Sequence, residues 1–326
     1  MPLPDGRGSV AAVRLRSLAK INLDLRVLHQ RPDGFHELRT IFQTISLADT
    51  IDIEYQRGRT RIDLESNLNI PGNLIVHAAD IALQALGKTG RFRFRLKKKI
   101  PLGGGLGGGS SNAAAVLLAL PAILGKPLPL ERLLELAASL GSDVPFFLLG
   151  GTAAGIGRGT ELFPLPDLPG KPALIVTPGL HVSTVEAYRA LNRELTNLAP
   201  SSSINSFQAF AWSLEGHPPG EGWRCVNDFE SVVFSEYPQL KSIKGKLLKL
   251  RARPALMSGS GSTLFGVFGT RELRDEAIAS LKTEIGDENV HRVSMVSRSQ
   301  YRALWWRQLT NYIVPGTWPP QSQSAE

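Results

Sequence analysis

A single cysteine, Cys225, is all that the 326 residues contain, so no internal disulfide can form and a reducing compartment fits. That lone thiol reads as a small packed side chain. Long apolar runs are missing too: no stretch approaches the roughly 18 uninterrupted apolar residues of a membrane span. The opening residues Met1–Gly8 lack the apolar core of a secretion signal. The expectation is a protein of the bacterial cytoplasm with no membrane partner, although composition is as compatible with a mature plastid protein. Aromatic residues are scarce, at 7%, and outside the run Arg91–Lys99 do not interleave with exposed charge. The formal charge of +8 therefore does not point to nucleic acid, which calls for stacking rings beside a basic groove. A surface that attracts polyphosphate ligands uses the same charge. The one dense basic run, Arg91–Lys99, alternates with apolar residues and reads as the solvated face of a strand. Lys98 or Lys99, at its end, is expected to bias the local potential toward phosphate.

Against these shortages stands one excess. From Gly103 to Gly109, six of seven residues are glycine. Glycine gives up more backbone entropy on ordering than any other residue, so such a run persists where something must approach the backbone itself. Ser110 or Ser111 follows as an N-cap, and Asn112–Leu120 has helical propensity. The loop's N–H groups and the positive end of the helix dipole then face one point, each charge–dipole contact contributing about 0.3–1 kcal/mol. That is a phosphate cradle. It is not a Walker A loop, because Ser110 stands where Lys is required; Gly87-Lys88-Thr89 imitates that ending but has Ala82 in place of the first glycine. Gly103, Gly105 and Gly108 fit the dinucleotide spacing, yet the strand before them is not apolar throughout. The acidic candidate, Glu131, falls inside a helical pattern. Protein-kinase signatures are absent.

The stretch Pro101-Leu-Gly-Gly-Gly-Leu-Gly-Gly-Gly-Ser-Ser-Asn-Ala-Ala114 resembles the ATP loop of the GHMP small-molecule kinases (galactokinase, homoserine kinase, mevalonate kinase, phosphomevalonate kinase). Ala19-Lys20-Ile21-Asn22-Leu23, followed by Arg31-Pro-Asp-Gly-Phe-His36, resembles an opening motif of the same family. Gly141-Ser-Asp143-Val-Pro-Phe-Phe147 resembles its acidic active-site segment. Met257-Ser-Gly-Ser-Gly-Ser-Thr-Leu-Phe265 is similar to the third motif, which buttresses the phosphate site. The likeness runs from about Ala19 to Phe268. The doubled triple glycine and the Asp-Gly-Phe-His turn are most similar to the branch that serves non-mevalonate isoprenoid synthesis.

The resemblance implies an α/β (α+β) fold of two domains with the active site between them. Residues 1–168 would resemble the second domain of ribosomal protein S5, and 169–313 a ferredoxin-like domain. The Pro-rich junction Pro164–Gly170 marks the boundary, and the tail 314–326 is expected to be disordered. The implied reaction is ATP-dependent phosphorylation of the 2-hydroxyl of a cytidine diphosphate-linked polyol, with another sugar or alcohol of the superfamily as the competing acceptor. The likeness assigns ATP to Pro101, Leu102, Gly103, Gly104, Gly105, Leu106, Gly107, Gly108, Gly109, Ser110 and Ser111, with Asn73 by the adenine. Lys20 and Asp143 are implied as catalytic. Asn22, Phe35, His36, Thr184 and Tyr188 are implied at the acceptor: Phe35, where the family usually has Tyr, and Tyr188 gripping the cytosine, His36 at its edge. Mg²⁺ is the implied cofactor, with the hydroxyl of Ser110 or Ser111 as candidate ligand; no oligomer is implied.

Elsewhere the signals are local. Lys20, Asn22 and Asp24 alternate with apolar neighbours as in an ordinary half-exposed strand. Asn73–Leu86 and Glu131–Leu140 have helical spacing, each stopped by glycine, with His77 read as packing. Residues 198–222, rich in Ser, Pro and Gly, read as a long loop. Helices are expected over 184–191 and from Asn227 onward, and strands over 172–177 and 264–268.

Overall fold

The computed structural model describes residues 11–168, 170–195, 200–214 and 225–319. Alternating apolar residues near the start build two long strands, β1 (Ala11–Gln30) and β2 (His36–Gln56), paired antiparallel across the 31–35 turn. There follow β3 (Arg61–Ser66), α1 (Leu74–Leu86), β4 (Arg91–Lys97), α2 (Gly108–Ile123), α3 (Leu130–Leu140), α4 (Phe146–Leu149), β5 (Thr152–Gly157) and β6 (Glu161–Pro164). On its other edge β2 serves two neighbours, β4 through residues 50–56 and β5 through 38–43. The sheet runs β3-β4-β2-β5-β6, with β1 beside β2.

The alternation in β4 does what its pattern predicts. Phe92, Phe94 and Leu96 are buried, while Arg91, Arg93, Arg95 and Lys97 face solvent. Glu65 approaches both Arg93 and Arg95, and Glu54 pairs with Arg95, so the basic stripe is interleaved with acid. Lys98 departs from the expectation. Its ammonium is buried against Asp49 at 2.8 Å, and desolvation lowers its pKa, so its charge is neutralised inside the protein instead of being presented to phosphate.

Helix α2 is apolar on all sides and therefore buried on all sides, a central rod against which α1 and the sheet pack. It begins at Gly108, earlier than its serines suggested, with Gly107 as its left-handed N-cap residue. Neither Ser110 nor Ser111 caps it, because both lie in the first turn. Ser111 instead donates to the Leu18 carbonyl at 2.7 Å.

The second half comprises β7 (Pro172–Val176), α5 (Thr184–Leu195), α6 (Pro200–Ser213), α7 (Phe229–Glu236), α8 (Pro238–Lys249), β8 (Ala255–Met257), β9 (Leu264–Val267), α9 (Arg271–Ile285) and β10 (Val290–Ser294). The antiparallel sheet has the order β10-β7-β9-β8, and strands and helices alternate as in a ferredoxin-like unit. Part of the expected loop over 198–222 is helix α6, whose Phe207 and Phe210 are buried, with Leu214 just beyond its end buried at the next helical position. Residues 196–199 and 215–224 lie outside the described residues. His77 is exposed on α1 and is not packing.

Three cores hold the chain together. One lies between the first sheet and its helices, and a second between the antiparallel sheet and α5, α7, α8 and α9. The third joins the halves: Ile21, Leu23, Ile41 and Ile45 pack with Ile175, Phe265 and Met295. Strand β1 is therefore buried on both faces from Ser17 to Val27, not half exposed as its alternation suggested. A final helix, α10 (Arg298–Leu309), grouped by sequence with the second half, returns to the first core. There Trp305 is buried and the Tyr301 hydroxyl donates to the Phe147 carbonyl at 2.6 Å. Residues 314–319, expected to be disordered, continue that packing, with the Trp318 indole donating to the Leu148 carbonyl at 2.9 Å. Trp318 supplies apolar surface that the prolines and polar pairs of the tail concealed. Residues 320–326 lie outside the described residues.

Candidate active site

The glycine run is a curled loop clamped between the two halves. Gly103, Gly105 and Gly107 have φ of 68°, 73° and 66°, while Gly104 and Leu106 between them do not have positive φ. This alternation of sign turns successive N–H groups inward, the geometry of an anion-binding nest. A Cβ on Gly105 would lie 2.1 Å from the Ser258 carbonyl oxygen, and one on Gly104 2.3 Å from the Thr263 hydroxyl. These glycines are thus required by the close approach of the 258–263 loop, more than by a ligand. Gly109 is the open position, with nothing nearer its Cβ site than Leu74 Cδ1 at 3.8 Å. Pro101 and Leu102 stand at the entrance to the loop, Leu102 exposed, and Leu106 is buried, its carbonyl accepting from the Lys20 amide at 3.0 Å.

Beneath the loop, bulges in β1 on either side of Lys20–Asn22 turn these polar side chains into the seam between the halves. Lys20, 3% exposed, donates to Asn22 Oδ1 at 2.8 Å and lies 3.3 Å from Asp143 Oδ2. Asp143 sits in the turn that leads into α4. Asn22 Oδ1 also accepts from the Gly259 amide at 3.0 Å, and its amide nitrogen donates to Thr40 at 2.8 Å. Asn22, expected at the acceptor, lines the cavity wall but is turned toward these protein partners.

Two adjoining cavities meet at this point. The smaller, about 270 Å³, is lined by Lys20, Gly103, Gly105, Asp143 and Gly259 among others. The larger, about 640 Å³, has Phe35, His36, Ser110, Asp143, Thr184 and Tyr188 in its wall. Thr184, the first residue of α5, is tied to the second glycine loop through Ser260 at 2.8 Å. The rings do not stand as the sequence suggested. His36 lies flat on Tyr188, centroids 4.6 Å apart, while Phe35 is covered by the Arg158 guanidinium at 3.6 Å. Burial, and then the charge of Asp143, push the Tyr188 phenol up to about 12. Asn73 caps α1 through its Oδ1, which accepts from the Ile75 amide at 3.0 Å, and lines neither cavity. Ser110 is half-exposed beside Asp143, whereas Ser111 is buried against Leu18 and does not fit a metal ligand. Among the described residues no cluster of three or more His, Cys, Asp or Glu side chains forms a metal centre.

The family of this arrangement is decided by comparison with known proteins. A protein of Solibacter usitatus called 4-diphosphocytidyl-2-C-methyl-D-erythritol kinase is 52% identical over 314 residues, covering 95% of this chain and 96% of the relative. The description "GHMP kinases N terminal domain" matches residues 73–151, and "GHMP kinases C terminal" matches 219–287. The chain belongs to the GHMP kinases. A Thermus thermophilus protein of the same name is 42% identical over 255 residues, 76% of this chain and 85% of its own. A crystal structure of 4-(cytidine 5'-diphospho)-2C-methyl-D-erythritol kinase superposes with a TM-score of 0.72 at 35% identity, covering 86% of this chain and 98% of that one. A Cytophaga hutchinsonii homoserine kinase, 20% identical with a TM-score of 0.68 over 88% of this chain and 95% of that one, shares the fold.

Within this GHMP kinase, sequence reasoning passed over two residues. Asn227, read as a helix start, donates to the Met257 and Gly259 carbonyls at 2.7 and 2.8 Å while its Oδ1 accepts from the Phe229 amide at 3.0 Å. It ties the second glycine loop to the helix that packs on Tyr188. Arg158 lines both cavities, and its signal in the sequence was a lone cation between two glycines of a turn. Among the described residues no helix is long and apolar enough to cross a membrane.

Proposed function

We propose that this chain transfers the γ-phosphate of ATP to the 2-hydroxyl of 4-diphosphocytidyl-2-C-methyl-D-erythritol, a step of non-mevalonate isoprenoid synthesis in the bacterial cytoplasm. The observation that carries the reading is the Lys20–Asp143 pair at the junction of the glycine loop and the aromatic cavity. The name of the relative at 52% identity supplies the acceptor. Phosphoryl transfer asks for in-line positioning, stabilisation of charge and a partner for the hydroxyl proton.

The N–H groups curled between Gly103 and Gly107, with the first turn of α2, hold the phosphates of ATP. Asp143, open to the larger cavity, accepts the proton of the attacking hydroxyl. Lys20 holds its ammonium beside that oxygen and stabilises the charge that develops there, and a buried ammonium does so more strongly than one in water. Asn22 orients Lys20 and, through Gly259, ties it to the loop that braces Gly105. The Ser110 hydroxyl is a hard oxygen donor on the same cavity wall as Asp143, a fit for Mg²⁺, which takes one or two protein ligands beside phosphate oxygens and water. Bound there, the ion would neutralise phosphate charge. Phe35, His36, Thr184 and Tyr188 line the part of the larger cavity that takes the cytidine.

A panel of acceptors with ATP, followed by ADP release, tests the reading. Turnover with the cytidine diphosphate-linked polyol and none with galactose, homoserine or mevalonate is expected. Comparable kcat/KM for one of those three would overturn it.

A further inference from the structure

We infer that Arg158 recognises the diphosphate bridge of the acceptor and so sets a preference for nucleoside diphosphate-linked acceptors; the inference rests on the acceptor proposed above. Arg158 follows β5 in the turn toward β6 and lines both cavities, the aromatic one and the one that holds Lys20. A molecule with its base among the rings and its hydroxyl at Asp143 must pass this guanidinium with the part that joins them. In a cytidine diphosphate-linked polyol that part is the diphosphate, whose two negative charges require cationic hydrogen-bond donors when removed from water.

Two neighbouring cations are committed elsewhere. Lys20 is held by Asn22 and Asp143, and Arg31 pairs with Glu37 at 2.6 Å and with Asp33 at 3.3 Å. Arg158 forms no ion pair among the described residues, and its Nε is buried without a hydrogen-bond partner. Arg39, Arg298 and Arg302 have an unmatched Nε too, but of the four Arg158 alone lines the cavities, where a ligand oxygen can supply the acceptor. The planar fork of five donors suits phosphate better than an ammonium does. Arg189 also lines the larger cavity but not the smaller, so it does not span the two ends. The guanidinium lies on the ring of Phe35 at 3.6 Å, a face on which a base would stack, so arrival of the base and transfer of the guanidinium to phosphate oxygens are a single exchange.

Calorimetric binding of CDP and of cytidine to the full chain, with ADP saturating the donor site, tests this directly. The parent is expected to bind CDP more tightly than cytidine. Arg158→Met keeps the stem against Phe35 and should lose about 10- to 100-fold in CDP affinity with no loss for cytidine, the loss expected of one or two charged hydrogen bonds. Arg158→Lys, which restores charge without the fork, should recover part of it. Both variants should melt with the parent and keep its KM for ATP. Equal losses for CDP and cytidine, or no loss for either, would overturn the inference. A parent that binds neither ligand would overturn the acceptor reading itself, and this inference with it.

Discussion

Replacing Asp143 by Asn keeps the side chain's shape and removes the charge 3.3 Å from the Lys20 ammonium. Two effects of unequal size follow. Lys20 is nearly inaccessible, but it retains its bond to Asn22 and the Phe42 ring 5.3 Å away; the Asp143 side chain keeps 34% of its surface in solvent. Breaking a fully buried pair costs about 3–5 kcal/mol and an exposed one about 0–1, so this half-open pair should cost about 1–2 kcal/mol. In a chain of this size that lowers the melting temperature by roughly 1.5–3 °C. The loss of the proton acceptor is larger, about 10²- to 10⁴-fold in kcat. Coupled ADP release at saturating substrates, with calorimetric melting of the same samples, reads both quantities, and KM for ATP should stay within about twofold of the parent, since the cradle is untouched. If kcat stays within tenfold of the parent while melting falls as expected, Asp143 holds Lys20 and takes no proton. Lys20→Met, which retains the stem beneath Gly107, should reduce kcat at least as far.

Three further expectations concern the loops and the rings. Gly109→Val should fold as the parent does, since its side chain meets nothing closer than Leu74 at 3.8 Å, yet it should lose the thermal protection given by ATP; full protection would move the phosphates elsewhere. Asn227→Ala strands the Met257 and Gly259 carbonyls and should cost about 2–4 kcal/mol while raising KM for both substrates. Asn227→Asp, which keeps the cap on Phe229 but sets a carboxylate against two carbonyls, should do no better, and parent-like kinetics would refute the donor role. The Tyr188 phenol, raised from 10.0 to about 12, contributes stability that is whole below pH 10 and lost as pH rises toward 12; denaturation of the parent against Tyr188→Phe should diverge across that window and not below it.

What the sequence disclosed of the fold depended on whether a pattern was local. The alternation of β4 and the capped spacing of α1 are self-contained, and both elements stand where they were read. Strand β1 has the same alternation as any half-exposed strand. Its burial on both faces comes from a second sheet more than a hundred residues downstream, which no local window contains. Helix α6 was hidden by its serines, although Phe207, Phe210 and Leu214 hold helical spacing; the polar composition outweighed a period that the third core uses. The tail was misjudged for the opposite reason. Prolines and Gln-Ser pairs describe its last residues, while Trp318 works through one hydrogen bond and an apolar contact with a core begun by residues near the other terminus.

The site divides along the same line. Lys20 and Asp143 were singled out through their resemblance to family motifs, the glycine loop through its own composition, and the three converge on one seam. The reason given for the glycines was incomplete: Gly104 and Gly105 are required because another glycine loop presses on them, and a contact between residues 105 and 258 leaves no trace in either segment alone. Lys98 shows the converse. A lysine one turn before a phosphate loop looks electropositive until Asp49, from a different strand, is found to neutralise it. Arg158 had no motif around it, and its claim on function arises from its place in the walls of both cavities with its Nε unpartnered, whereas Lys20 in the smaller wall has its partners. Such a vacancy becomes visible when every neighbour of a charge is known. Residues that respond to a ligand through their own chemistry can thus be read in the sequence, and those defined by an unmet partner require the fold.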